Sequence, residues 1–127
     1  MVKTYALRVK RSRTGLGLFA EQDIPKSARI IEYIGRPVLD KEQYTSRSKY
    51  LFETGKNLMI DGNIKENIAR YINHSCLPNC EVDIRNRRIF VFARRNIKNG
   101  EELNYDYGEE YFNQHIKPKG CLCKKCR

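Results

Sequence analysis

Three short segments concentrate the side chains that can do chemistry. Asn73-His74-Ser75-Cys76 sets an amide, an imidazole, a hydroxyl and a thiol in four consecutive positions. The Asn73 amide donates and accepts at once, which suits a charged amino-acid ligand. A polar turn held by Asn73 and Ser75, with Pro78 fixing its exit, explains the same residues without any ligand. Tyr105-Asp106-Tyr107 is the second segment. Side chains alternate along an extended chain, so both phenols face one side and Asp106 the other. Two phenols in one space can shape a narrow polar slot, or they can be core rings with hydroxyls at the rim. In the third segment, Thr14-Gly15-Leu16-Gly17, two glycines let backbone approach a ligand closely. It lacks the third glycine and the βαβ context of a dinucleotide fingerprint, and alone it reads as a tight turn.

The cysteines add a metal argument. There are five, an odd number, and three form Cys121-Leu122-Cys123-Lys124-Lys125-Cys126. That spacing needs one more ligand for a tetrahedral zinc site, and Cys76 and Cys80 are the available donors. Such a site would tie the C-terminus to the segment around Asn73. Disulfides are not expected of a chain in a reducing compartment. His74 and Cys76 lie too close in sequence to favour a Cys–His nucleophile.

The elements that must position these residues read as short strands. Runs at 5–9, 28–34, 58–60, 88–93 and 101–107 carry the strand signal, with Asn86 in the turn before 88–93. The segment 15–20 reads as a glycine turn feeding an apolar run. Helix is confined to 40–48, with Asp40 as N-cap, and to one or two turns at 64–72. Together these predict a mainly β fold. A chain of 127 residues suits one domain. The only boundary falls near Asn113 to Gly120, where Lys117-Pro118-Lys119-Gly120 reads as a flexible link, dividing a body at 1–112 from a tail at 113–127.

Composition bounds the setting. The chain is 40% hydrophobic and 31% charged, with a net charge of +10. The bases cluster at the start, at 85–98 and at the end, which suits either a solvated surface or non-specific contact with nucleic acid. Glu101, Glu102, Asp106, Glu109 and Glu110 form an acidic cluster that could receive a basic peptide. The start is too charged for a signal peptide, and no apolar run approaches the roughly 20 residues of a membrane span. An intracellular, soluble protein is therefore expected.

The motifs in their order resemble a SET domain with a post-SET zinc tail. They are the GxG at Gly15 and Gly17, Tyr33-Ile-Gly35, Tyr50-Leu-Phe52, Asn67-Ile-Ala-Arg-Tyr-Ile-Asn-His-Ser-Cys76, Glu101-Glu-Leu-Asn-Tyr-Asp-Tyr107, and CxCxxC. The pair of Asn73–Cys76 and Glu102–Tyr107 motifs is specific; the GxG is not. The resemblance implies a β-clip fold of small curled sheets with a C-terminal pseudoknot, in which the segment near Tyr107 crosses the one at Asn73. It implies transfer of a methyl group from S-adenosylmethionine to a lysine of a protein substrate, a histone tail or another basic protein. Thr14, Gly15, Leu16 and Gly17 would meet the cofactor, largely through backbone. Asn73 would bind its methionine moiety, His74 its adenine, and Leu122 would lie against it. Tyr50 would line both the cofactor pocket and the lysine channel. Tyr107 matches the catalytic tyrosine, and Tyr105 the position that tunes product multiplicity, favouring mono- or dimethylation. Cys76, Cys121, Cys123 and Cys126 match the zinc ligands. The tail departs from the CxCx4C spacing of many members, and Cys80 is a spare thiol nearby. A catalytically silent SET-like module that binds basic tails or nucleic acid is the alternative. In a eukaryote the resemblance implies the nucleus and chromatin, otherwise the cytoplasm, and a dimer is possible.

Overall fold

The computed structural model describes residues 4–13, 15–39, 51–55 and 58–108. Within them lie β1 (Leu7–Ser12), β2 (Gly15–Ala20), β3 (Arg29–Tyr33), β4 (Arg36–Leu39), β5 (Leu51–Gly55), β6 (Leu58–Asp61), β7 (Asn73–His74), β8 (Cys80–Arg85), β9 (Arg88–Ala93) and β10 (Asn104–Tyr105). A single 3-10 helix covers Ile68–Tyr71. The strands form four small sheets. These are an antiparallel β1–β2 pair, antiparallel three-stranded sheets ordered β3–β9–β8 and β4–β6–β5, and a parallel β7–β10 pair. The expected mainly β fold of small sheets is borne out. Among the described residues no helix is long and apolar enough to cross a membrane.

The alternation of β9 builds the core. Ile89, Val91 and Ala93 point inward and are fully buried against Leu18, Ile72 and Leu103. Phe90 and Phe92 occupy the other face. Arg29 lies 4.5 Å from the Phe90 ring centre, Arg88 lies 5.0 Å from it, and Arg85 lies 5.1 Å from that of Phe92. Arg88 also pairs with Glu32 through two hydrogen bonds of 2.8 and 3.1 Å, and Arg85 with Asp83 at 2.7 Å. Much of the basic cluster at 85–88 is thus engaged with rings and carboxylates of its own sheet. The turn of this hairpin places Asn86 and Arg87 in left-handed backbone, at φ 51° and 62°. That geometry matches the twist of the two strands it joins.

Several elements differ from the sequence expectation for physical reasons. The segment 15–20 is a strand throughout, because β1 on one side and the backbone of 101–103 on the other saturate it. The strand expected at 28–34 is followed after Gly35 by a second one, β4, which contains Pro37 opposite Ile60. β4 is a sheet edge, where a missing N–H costs nothing. β8 was missed because its CEVDIR sequence is largely polar, as befits an edge strand with one face in water. The stretch 101–107 keeps ladder geometry only at Asn104–Tyr105. The helix expected at 40–48 lies outside the described residues.

The helix expected at 64–72 is only the one 3-10 turn, because Asn67 is used differently. Its side chain does not cap the helix. It is 1% exposed, accepts from the Ile34 N–H at 3.2 Å and donates to the Gly62 carbonyl at 2.9 Å. The Tyr33 ring packs directly on Gly62, leaving no space for a Cβ there. Asn67 therefore staples the approach to the Asn73 segment onto the end of β3. Replacing it with Leu, of similar size, leaves one buried donor and one buried acceptor unmatched. Asn67→Leu is expected to destabilise the fold by about 2–4 kcal/mol, read as a lower urea midpoint with an unchanged slope.

Candidate functional site

Two segments far apart in sequence meet at the centre of the molecule. β7 pairs in parallel with β10, Asn73 opposite Asn104 and His74 opposite Tyr105. The ladder continues beyond the strands, since the Ser75 N–H donates to the Tyr105 carbonyl at 3.1 Å. Asn79 locks the same junction from below. It is buried, donates to the Glu102 carbonyl at 2.8 Å, and exchanges two bonds with Asn104, of 2.8 and 3.0 Å. Sequence reasoning missed Asn79 and Asn104. Their only signal was a pair of amides, Asn104 inside one motif and Asn79 three residues beyond the other.

This junction brings the tyrosines together. Tyr105 is 8% exposed and belongs to the core, whereas Tyr107 is half-buried at its rim. Their ring centres are 4.9 Å apart, and the edge of His74 meets Tyr107 at 5.4 Å. Asp106 points the other way, with 59% of its side chain exposed. The expected alternation therefore holds: two phenols share one space. The Tyr107 hydroxyl donates to the Ile72 carbonyl, just before Asn73. Phenol oxygen and peptide oxygen thus stand side by side, beside the amide and the imidazole.

His74 is held as a neutral tautomer. The Tyr107 N–H donates to Nδ1 at 3.1 Å, so the ring proton sits on Nε2, which lies 3.3 Å from the Cys76 sulfur. Burial lowers the imidazole pKa from its ordinary value, and the Asp106 carboxylate opposes that only in part. Asp106 is 3.8 Å from Nδ1, an atom already accepting a backbone proton, so the two do not form an ion pair at neutral pH.

The two described cysteines differ. Cys76 is half-buried, with the His74 Nε2 3.3 Å from its sulfur. Cys80 is 1% exposed, donates to Asn79 Oδ1 at 3.2 Å, and burial pushes its thiol up to about 12. A neutral core thiol of that kind is a poor zinc ligand. Cys121, Cys123 and Cys126 lie outside the described residues, as do Thr14, Tyr50 and Leu122. Among the described residues no group of three or more potential metal ligands occurs.

The GxG segment closes the site. Gly15 has φ 119° with open space where a Cβ would stand, and Leu16 is 51% exposed. Gly17 is buried, with the Glu102 carboxyl and the Ser12 Cβ over its Cα. Asn73 Nδ2 donates to the Leu16 carbonyl at 3.0 Å and to Glu102 Oε2 at 2.9 Å, and lies 3.3 Å from Ser12 Oγ. The three motifs therefore converge. The acidic cluster does not form one patch. Glu101 clamps Arg95 at 2.9 and 3.1 Å and takes the Lys98 N–H at 2.6 Å, while Glu102 turns inward. Glu109 and Glu110 lie outside the described residues.

Known proteins share this arrangement. The chain is 40% identical over 126 residues to the histone-lysine N-methyltransferase trr of Drosophila melanogaster, covering 89% of this chain and 5% of that protein. It is 40% identical over 131 residues to a Chaetomium globosum histone-lysine N-methyltransferase described as H3 lysine-4 specific, covering 91% of this chain and 12% of that one. The chain thus spans a small fraction of the length of these relatives. A solved structure, a humanized mutant of the Chaetomium thermophilum Polycomb Repressive Complex 2 bound to the inhibitor GSK126, matches with a TM-score of 0.74 and 32% identity. That match covers 84% of this chain and 15% of the other. The family model for the SET domain matches residues 15–108, from the first glycine of GxG to the glycine after Tyr107. Those limits enclose the whole convergence of motifs just described, and the chain belongs to the SET-domain family.

Proposed function

We propose that this chain is the methyl-transfer module of a protein-lysine N-methyltransferase acting on histones, with S-adenosylmethionine as donor. The observation that carries the reading is the pairing of the Tyr107 hydroxyl with the Ile72 carbonyl beside Asn73 and His74. Its relatives carry the name histone-lysine N-methyltransferase, which supports histone tails as substrate and the nucleus as the place of action.

The residues present fit the donor. Gly15 and Leu16 offer open backbone, and Asn73 offers an amide beside it. These would hold S-adenosylmethionine together with Thr14, Gly17, Tyr50, His74, Tyr107 and Leu122. When bound, it supplies an electrophilic methyl on a sulfonium sulfur, and the lysine nitrogen forms its bond to that carbon as the carbon–sulfur bond breaks.

The protein's part is alignment. The amine must approach in line at about 3–3.5 Å. Tyr107 is suited to orient it, because its hydroxyl is fixed in place by donating to the Ile72 carbonyl. Lysine normally titrates near 10.4, and only the neutral amine is a nucleophile. A channel walled by tyrosine rings disfavours the ammonium by removing water. No strong general base is required. Tyr105, stacked against Tyr107, is suited to occupy the volume a further methyl group would need.

Radiolabelled transfer to core histones is expected in the wild type and lost by at least about 100-fold in Tyr107→Phe, the scale of a missing orienting group. Mass spectra are expected to contain mono- and dimethyl-lysine, shifting toward trimethyl-lysine in Tyr105→Phe. A wild type that makes chiefly trimethyl-lysine contradicts the role given to Tyr105.

Zinc held by Cys76, Cys121, Cys123 and Cys126 would fasten the tail over the cofactor, the described ligand being the thiol that His74 supports. Cys123→Ser is expected to release zinc and lower activity while the circular dichroism of the β body persists. After chelation, iodoacetamide at pH 8 is expected to label Cys76 and spare Cys80. Labelling of Cys80 in the folded protein would count against its assignment to the core.

A further inference from the structure

The side-chain amide of Asn73 can in principle be turned either way, and the choice decides whether the site offers a ligand a donor or an acceptor. Here the surroundings decide it. One side of the amide faces the Leu16 carbonyl at 3.0 Å and Glu102 Oε2 at 2.9 Å, with Ser12 Oγ at 3.3 Å. A carbonyl and a carboxylate can only accept, so this side must be the NH2 group. Its two hydrogens are then committed. Oδ1 is left on the opposite side of the amide, and among the described residues no donor reaches it.

Glu102 makes that orientation compulsory. With the amide reversed, Oδ1 would stand against an anionic oxygen and a carbonyl oxygen together. The main chain of Glu102 is fixed: Asn79 Nδ2 holds its carbonyl at 2.8 Å, Phe19 bridges it to β2, and the Leu103 N–H after it donates to the Leu18 carbonyl at 2.8 Å, so the side chain leaves the backbone at a set point beside Asn73. Its carboxyl lies over the Cα of Gly17, so a side chain at that position of the GxG would have to displace it.

We infer that Glu102 is a positioning residue: by fixing the polarity of Asn73 it makes this end of the site an acceptor, selective for the ammonium group of an amino-acid-bearing ligand. Glu102 touches neither the transferred methyl nor the lysine. The inference rests on the methyl-transfer reading above and deepens it, because the donor carries such an ammonium group.

Calorimetric titration with two probes tests it. S-adenosylhomocysteine has the amino-acid end; 5′-methylthioadenosine shares the adenosine and thioether but lacks that end. Glu102→Ala is expected to weaken binding of S-adenosylhomocysteine by about tenfold or more, and to leave methylthioadenosine within about twofold. Glu102→Gln keeps the size and can turn its carbonyl toward Asn73, so it is expected to lose less than Ala and to melt with the wild type. In nitrogen-correlated spectra, the Asn73 side-chain NH2 resonances are expected to move in both variants before any ligand is added. Equal losses for both probes would reduce Glu102 to a structural role and overturn the inference, as would unchanged affinity for S-adenosylhomocysteine in Glu102→Ala. A wild type that binds methylthioadenosine and S-adenosylhomocysteine equally overturns the ammonium assignment while leaving methyl transfer standing. A wild type that binds neither overturns the proposed function, and this inference with it.

Discussion

The parallel pairing of β7 with β10 is the constraint on which everything else depends. It spans only two residues on each strand, yet it is the one place where the Asn73 and Tyr107 motifs can share a wall. Parallel neighbours need a long crossover, and here the β8–β9 hairpin lies within it. Closing that length of chain carries an entropy cost, and a two-residue ladder cannot offset it alone. The remainder comes from groups that face the same junction: the Asn79–Asn104 exchange, the Tyr107 bonds to His74 and Ile72, and the burial of Leu103 and Tyr105 against β9. The site is thus precise because it is also the point at which the fold is knit together.

What could be read from the residues followed the reach of each physical signal. The β9 core strand was legible because alternation of Ile89, Val91 and Ala93 with the two phenylalanines is a local property of six residues. The shared face of Tyr105 and Tyr107 was legible for the same reason. The roles of Asn67, Asn79 and Asn104 were not, because a buried amide draws its meaning from partners far along the chain. Asn67 fell inside the helix expected at 64–72, and only the Ile34 N–H and Gly62 carbonyl reveal it as a staple. Pro37 shows the same limit, since its residue type carries no information about whether its strand lies at an edge. The family resemblance supplied what local signals could not, namely that the motifs at 15–17, 73–76 and 102–107 belong together.

The charges illustrate how composition alone can point past the site. A net charge of +10 invites a polyanion, and five acids within ten residues invite a basic peptide. In the folded molecule Arg29, Arg85 and Arg88 lie on phenylalanine rings, and Arg88 and Arg85 also meet carboxylates of the same sheet. Glu101 is spent on Arg95 and the Lys98 turn, and Glu102 on Asn73. Exposed pairs of this kind add little stability, typically below about 1 kcal/mol each. What they do is occupy charges that the bare sequence leaves available.

The three polar groups at the centre are set by accounting for protons. The Tyr107 amide proton assigns the His74 tautomer, which in turn aims Nε2–H at Cys76. The Tyr107 hydroxyl proton goes to Ile72, which fixes the direction of the phenol. The Asn73 protons go to Leu16 and Glu102, which leaves Oδ1 to accept. In each case a fixed backbone or carboxylate partner removes a choice that an isolated side chain would keep. The outcome is a centre in which the direction of each polar group is set by its neighbours and not by its own rotamer.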